Sequence, residues 1–135
     1  MKNPLILLTI ALLSVVMVSA QSNKKKTEVL YFKANLCACK ARVCTAIGND
    51  IKTIIEKYYP DSSVKFREVK LTDEENNEMV TKYKARSQSL IIVKQKRKKE
   101  FFVDVSDIVQ AYGQNQDKVV FEKTLQLKIN EIKKK

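Results

Sequence analysis

The sequence predicts an α/β domain, a mixed sheet with helices on both faces, in the order β-α-β-α-β-β-α. Three observations lead there. Short apolar runs rich in β-branched and aromatic residues alternate with segments whose apolar residues recur every three or four positions. Only 2 glycines and 2 prolines occur in 135 residues, which argues against a sandwich built on tight turns. The link between the last two strands is so short that it makes a hairpin, so the sheet cannot be wholly parallel.

The chain opens MKNPLILLTIALLSVVMVSAQ. Lys2 supplies a positive start, residues 5–18 are apolar except for Thr9 and Ser14, and Val18-Ser19-Ala20 places small residues before Gln21. This is the pattern of a cleaved secretory signal over residues 1–20 rather than a membrane span, the rival reading being an uncleaved N-terminal anchor. The expected consequence is export, to a periplasm or out of the cell, where disulfides persist. Residues 21–27 read as a polar leader and 28–135 as one domain.

Residues 28–34, EVLYFKA, form the first strand. Helix signals begin near Cys39, and Val43, Ile47, Ile51, Ile54, Ile55 and Tyr58 are expected on one buried face. Pro60 stops that helix, because the residue before a proline is disfavoured in helical geometry. Residues 64–71, VKFREVKL, alternate with a slip in phase at Glu68 and read as the second strand. Thr72 or Asp73 is expected to cap a short helix whose Met79, Val80 and Tyr83 face inward. Residues 89–95, SLIIVKQ, are the third strand, with an apolar centre suited to a sheet covered on both sides. Residues 101–105, FFVDV, are the fourth. SDIVQAY reads as a helical turn ending at Gly113, with Asp107 as its cap. Asp117 starts the last helix, and Val120, Phe121, Leu125, Ile129 and Ile132 form its buried stripe.

The formal charge is +11 at pH 7, and loss of Lys2 with the leader lowers it to +10. The dense basic runs lie at 24–26, 94–100 and 133–135 and read as solvated chain ends and a hairpin tip. They lack interleaved aromatics and any groove-reading motif, so no specific nucleic acid is expected. With no histidine in the chain, Ser-His-Asp and Cys-His catalysis are excluded. No glycine-rich phosphate loop occurs. The acidic cluster Asp73, Glu74, Glu75 and Glu78 suits a solvated helix start.

All three cysteines stand in NLCACKARVC, at the junction of the first strand and first helix. Unpaired N–H groups at a helix start stabilise a thiolate, and Lys40 and Arg42 add positive charge nearby. Cys37, N-terminal on the loop, is the expected attacking thiol, and Cys39 its resolving partner. Cys44 lies five residues past Cys39, roughly 140° around and about 7.5 Å along the helix, so the two cannot bridge. Its expected role is that of a small buried hydrophobe, with a regulatory third thiol as the alternative. Two thiolates in C-x-C are also a donor set for Cu(I), whereas a zinc site usually asks for four ligands. An inert pair is the remaining alternative.

The element order, with cysteines after the first strand, resembles the thioredoxin fold. YFKANLCACKA stands in the place of the thioredoxin strand and active-site loop. ARSQSLIIV stands where a cis-proline normally faces the cysteines, with Ser87, Gln88 and Ser89 as the candidate binding loop. VLYFKAN, KYKARSQSLIIVK and VSDIVQAYG are similar to the small exported nitrophenyl-compound nitroreductase subunits of the ArsF family. The departures are C-x-C instead of C-x-x-C, no tryptophan before it, and no proline near Gln88. The resemblance implies a thiol–disulfide protein acting on a specific protein partner that carries a thiol or disulfide. Cys37, Cys39 and Lys40 would carry the chemistry, with no cofactor, no bound metal and no membrane span once the signal is removed. The alternatives are a non-catalytic accessory or binding subunit, and a Cu(I)-binding protein that uses the same cysteines.

Overall fold

The computed structural model of the protein describes residues 25–35 and 38–135. The expected signal at 1–20, most of the expected polar leader at 21–27, and Cys37 lie outside the described residues. The chain builds β1 (Lys26–Lys33), α1 (Ala38–Tyr58), β2 (Val64–Lys70), a 3-10 turn (Glu74–Asn76), α2 (Asn77–Tyr83), β3 (Leu90–Lys96), β4 (Lys99–Asp104), α3 (Ser106–Asn115) and α4 (Lys118–Lys134). The sheet order is β2-β1-β3-β4. β1 runs parallel to β2 and antiparallel to β3, and β3 is antiparallel to β4.

Strand alternation divides the apolar residues between two layers. Val29, Tyr31, Leu90 and Ile92 pack with Ile47, Ile51 and Ile54 of α1 and with Phe121, Leu125 and Ile129 of α4. On the other face Leu30, Phe32, Val69, Ile91 and Val93 lie with Tyr83, Met79 and Val80 of α2. The continuous apolar run of β3 is thus explained, since both of its faces are buried. In β2 no phase slip occurs. Val64 and Phe66 belong to the first layer and Val69 and Leu71 to the second, so one alternating strand feeds two cores.

The caps follow local chemistry. Asp117 Oδ1 accepts from Val120 N at 3.0 Å and starts α4, as predicted. At the 3-10 turn Asp73 holds the cap position but makes no side-chain cap bond. The expected helical turn after β4 is a ten-residue helix that runs through Gly113. It ends instead at Gln116, whose φ is 55° and whose N–H donates to Tyr112 O. Its first turn is held by Asp104, which accepts from Ser106 N at 2.9 Å, and not by Asp107. Three residues expected inside are exposed: Val43, Tyr58 and Val120. In α1 the buried position one residue on, Cys44, takes the place of Val43. Tyr58 turns outward to Glu122, to which its hydroxyl donates.

Candidate functional site

The C-terminal end of β1, the start of α1 and the loop before β3 meet at one end of the sheet. Backbone hydrogen bonds set the meeting. Gln88 N donates to Phe32 O at 2.8 Å, and Phe32 N donates to Ser89 O at 2.9 Å. Gln88 has φ 67°, the left-handed region, and no peptide is cis among the described residues. A non-glycine residue there is uncommon and is held only where neighbours determine it. Here the N–H bond to β1 and the side chain do so. Gln88 Nε2 donates to Cys44 Sγ at 3.4 Å, which pins the loop to α1.

The loop is also tied internally. Ser89 is buried, its Oγ accepts from Arg86 N at 2.9 Å, and its N–H donates to Arg86 O at 3.0 Å. Ser87 Oγ is buried without a hydrogen-bond partner. The structure therefore brings Ser87, Gln88 and Ser89 to the strand–helix junction, where the cysteine segment begins. Cys39 and Lys40 stand on the first turn of α1, and Lys40 is exposed. Cys37 precedes the helix by one residue.

Beneath the junction lies a polar cluster that sequence reasoning missed. Tyr31 is 0% exposed, and its hydroxyl has no hydrogen-bond partner. Burial pushes the phenol pKa well above the usual tyrosine range, with the adjacent Cys44 sulfur and then Glu68 adding to the shift. Cys44 is a free thiol, 0% exposed, so its reading as a small buried residue holds, and its sulfur also accepts from Gln88. Gly48 permits the close approach. A Cβ there would stand 3.3 Å from both Tyr31 ring carbons and Glu68 Oε2. Lys33 Nζ donates to Thr45 Oγ1 at 2.7 Å and lies 3.6 Å from Glu68 Oε1, joining β1, α1 and β2. The one sequence signal for this cluster is a tyrosine, with its polar hydroxyl, at an inward phase of the apolar run of β1. Among the described residues no group of three His, Cys, Asp or Glu side chains is placed to hold a metal ion.

Strand order and direction define a thioredoxin-like fold: a parallel β1–β2 pair joined by a helix, then an antiparallel β3–β4 pair, with α2 on the face opposite α1 and α4. Among solved structures the chain is similar to a malarial protein at 24% identity, covering 63% of this chain and 91% of that one, with a TM-score of 0.37. It is also similar to thioredoxin-2, a component of the malaria parasite protein secretion machinery, at 23% identity, covering 67% of this chain and 84% of that one, with a TM-score of 0.39. Both TM-scores are low, so the fold assignment rests on the topology. No family model and no curated protein matches the chain. Among the described residues no helix is long and apolar enough to cross a membrane.

Proposed function

We propose that the protein is an exported thiol–disulfide protein that acts on a specific partner through Cys37 and Cys39. One observation carries the reading: the loop at Gln88 is hydrogen-bonded to the strand that leads into the cysteine segment and to the helix that follows it. A partner strand held by that loop would lie beside the helix start. The helix N-terminus and Lys40 favour the thiolate form. In the reducing direction the Cys37 thiolate attacks a partner disulfide, and one partner sulfur leaves as thiolate. The Cys39 thiolate then attacks the Cys37 sulfur and releases the second partner thiolate. Two electrons pass to the partner and a Cys37–Cys39 disulfide remains. Such a closely spaced pair forms a strained ring, which favours exchange over permanent stapling.

Alkylation trapping tests this. A Cys37–Cys39 bridge that opens with mild reductant is expected, and Cys37→Ser should abolish exchange with a model disulfide. Absence of any bridge after mild oxidation ends the proposal. A second reading is a non-catalytic thioredoxin-like accessory or binding subunit. It is favoured by the left-handed Gln88 in place of a cis-proline, with its N–H already donated to Phe32 O. Under that reading the Cys37→Ser, Cys39→Ser double variant keeps its native role.

A further inference from the structure

Lys25 and Lys26, the β3–β4 hairpin and the end of α4, far apart in sequence, meet at the end of the molecule opposite the cysteine junction. β1 enters the sheet at Lys26, which pairs with Gln95 of β3. The β3–β4 hairpin tip follows at once, with Lys96 opposite Lys99 and the exposed Arg97 and Lys98 between them. The end of α4 closes over the same edge. Lys94 Nζ donates to Lys133 O at 2.6 Å, and Lys96 Nζ to Lys135 O at 3.2 Å. The length of β1, seven residue steps or about 23 Å, separates this pole from the junction.

The pole is only partly neutralised from within. Its nearby carboxylates are few and engaged: Glu28 with Lys26 at 2.7 Å, and Glu100 with Lys82 at 2.8 Å. Asp61 accepts from Ser63 and feels Lys133. Lys94, only 2% exposed, has its ammonium disfavoured first by burial and then by Lys96, Lys25 and Lys133. Like charges crowded in this way cost stability that a diffuse external anion would recover. We infer that this pole is a docking surface for an anionic phospholipid bilayer.

One feature favours a bilayer over another polyanion. The charges are lysines with a single arginine, Arg97. Lysines act as hydrated point charges suited to a smeared negative surface, where arginine suits fixed bidentate contacts. With the pole on lipid, the cysteine junction points away from the membrane.

The test is co-sedimentation of the full chain with phosphatidylserine–phosphatidylcholine vesicles and with phosphatidylcholine alone. Each basic residue near an anionic surface contributes about a factor of five. The exposed triple Lys98→Gln, Lys99→Gln, Lys134→Gln should therefore bind the anionic vesicles about 100-fold more weakly. The same triple with Glu adds repulsion and should weaken binding further, and the Gln variant serves if the Glu variant does not fold. High salt should release the wild type. Equal binding to both vesicle types overturns the inference, as does undiminished binding by the triple variants. So does an equal loss in the control Lys52→Glu, Lys84→Glu, Lys123→Glu, which changes net charge but not the pole. Tighter binding to duplex DNA or polyglutamate than to the anionic vesicles overturns the bilayer assignment in favour of that polyanion.

Discussion

Replacing Tyr31 with phenylalanine should stabilise the protein. The hydroxyl is buried, its ring is 0% exposed, and it has no oxygen or nitrogen partner, only the Cys44 sulfur, a weak hydrogen-bonding group, beside it. An unsatisfied buried hydroxyl costs about 1–3 kcal/mol relative to water. Tyr31→Phe removes that cost and keeps the ring against Gly48 and the sheet. The space left by one oxygen returns no more than about 0.5 kcal/mol at roughly 24 cal/mol per Å³. The net expectation is a gain of about 1–2 kcal/mol, or roughly 4 °C or more in Tm for a domain of this size. Urea unfolding reads it as a higher midpoint with an unchanged slope. A loss of more than about 1 kcal/mol would refute the reasoning, because it would mean that the phenol is bonded in solution. The same measurement in a Cys44→Ala background locates any such bond. Coupling near zero is expected, and a coupling above about 1 kcal/mol would assign a bond to the Cys44 sulfur.

Three further outcomes follow from the packing. Gly48→Ala gains about 1 kcal/mol of helix propensity but sets a methyl 3.3 Å from the buried Tyr31 ring. A net loss of about 1 kcal/mol is expected by urea unfolding, and a gain would show that the ring can move. Glu100 is pushed up by burial, but hydrogen bonds from Lys82 and Tyr83 outweigh this and hold its pKa below the usual value. Its folded pKa being the lower one, its stabilisation is present above the unfolded carboxyl value of about 4.3 and is lost as pH falls through the folded value. Glu100→Gln should therefore flatten the acid limb of a Tm–pH profile below about pH 5, and an unchanged limb counts against the pairing. Asp117→Ala removes the acceptor for Val120 N and should cost about 1 kcal/mol in thermal melts, with Asp117→Asn retaining most of it.

Much of the fold was legible because local signals agreed with one another. The apolar centre of β3, Pro60 after α1 and Asp117 before α4 each act within a few residues, and each stands where the sequence placed it. Misreadings arose where one pattern had two solutions. Stepping back from Ile47 by four gives Val43 and by three gives Cys44, and helical spacing alone accepts either. In β2 the apparent slip came from assuming one buried face, when the strand feeds one core with Val64 and the other with Val69. Gly113 looked like a stop, yet Gln116 supplies the left-handed residue. The candidate site was half visible. Position in the chain put Ser87, Gln88 and Ser89 opposite the cysteine helix. The contact of Gln88 with Cys44, the orphan hydroxyl of Tyr31 and the convergence of the basic runs are long-range facts that no local spacing encodes.

The central place of β1 has a bearing on how the chain assembles. Its partners lie at 64–70 and 90–96, so an apolar, β-prone segment is synthesised before either partner and has both flanks unpaired until they follow. Exposed strand flanks of this kind invite pairing with other chains. Closing the sheet must wait for distant loops to shut, which slows folding. A nascent chain paused before residue 90 therefore carries an open seam beside its central strand, and that interval is when a holding chaperone has most to protect.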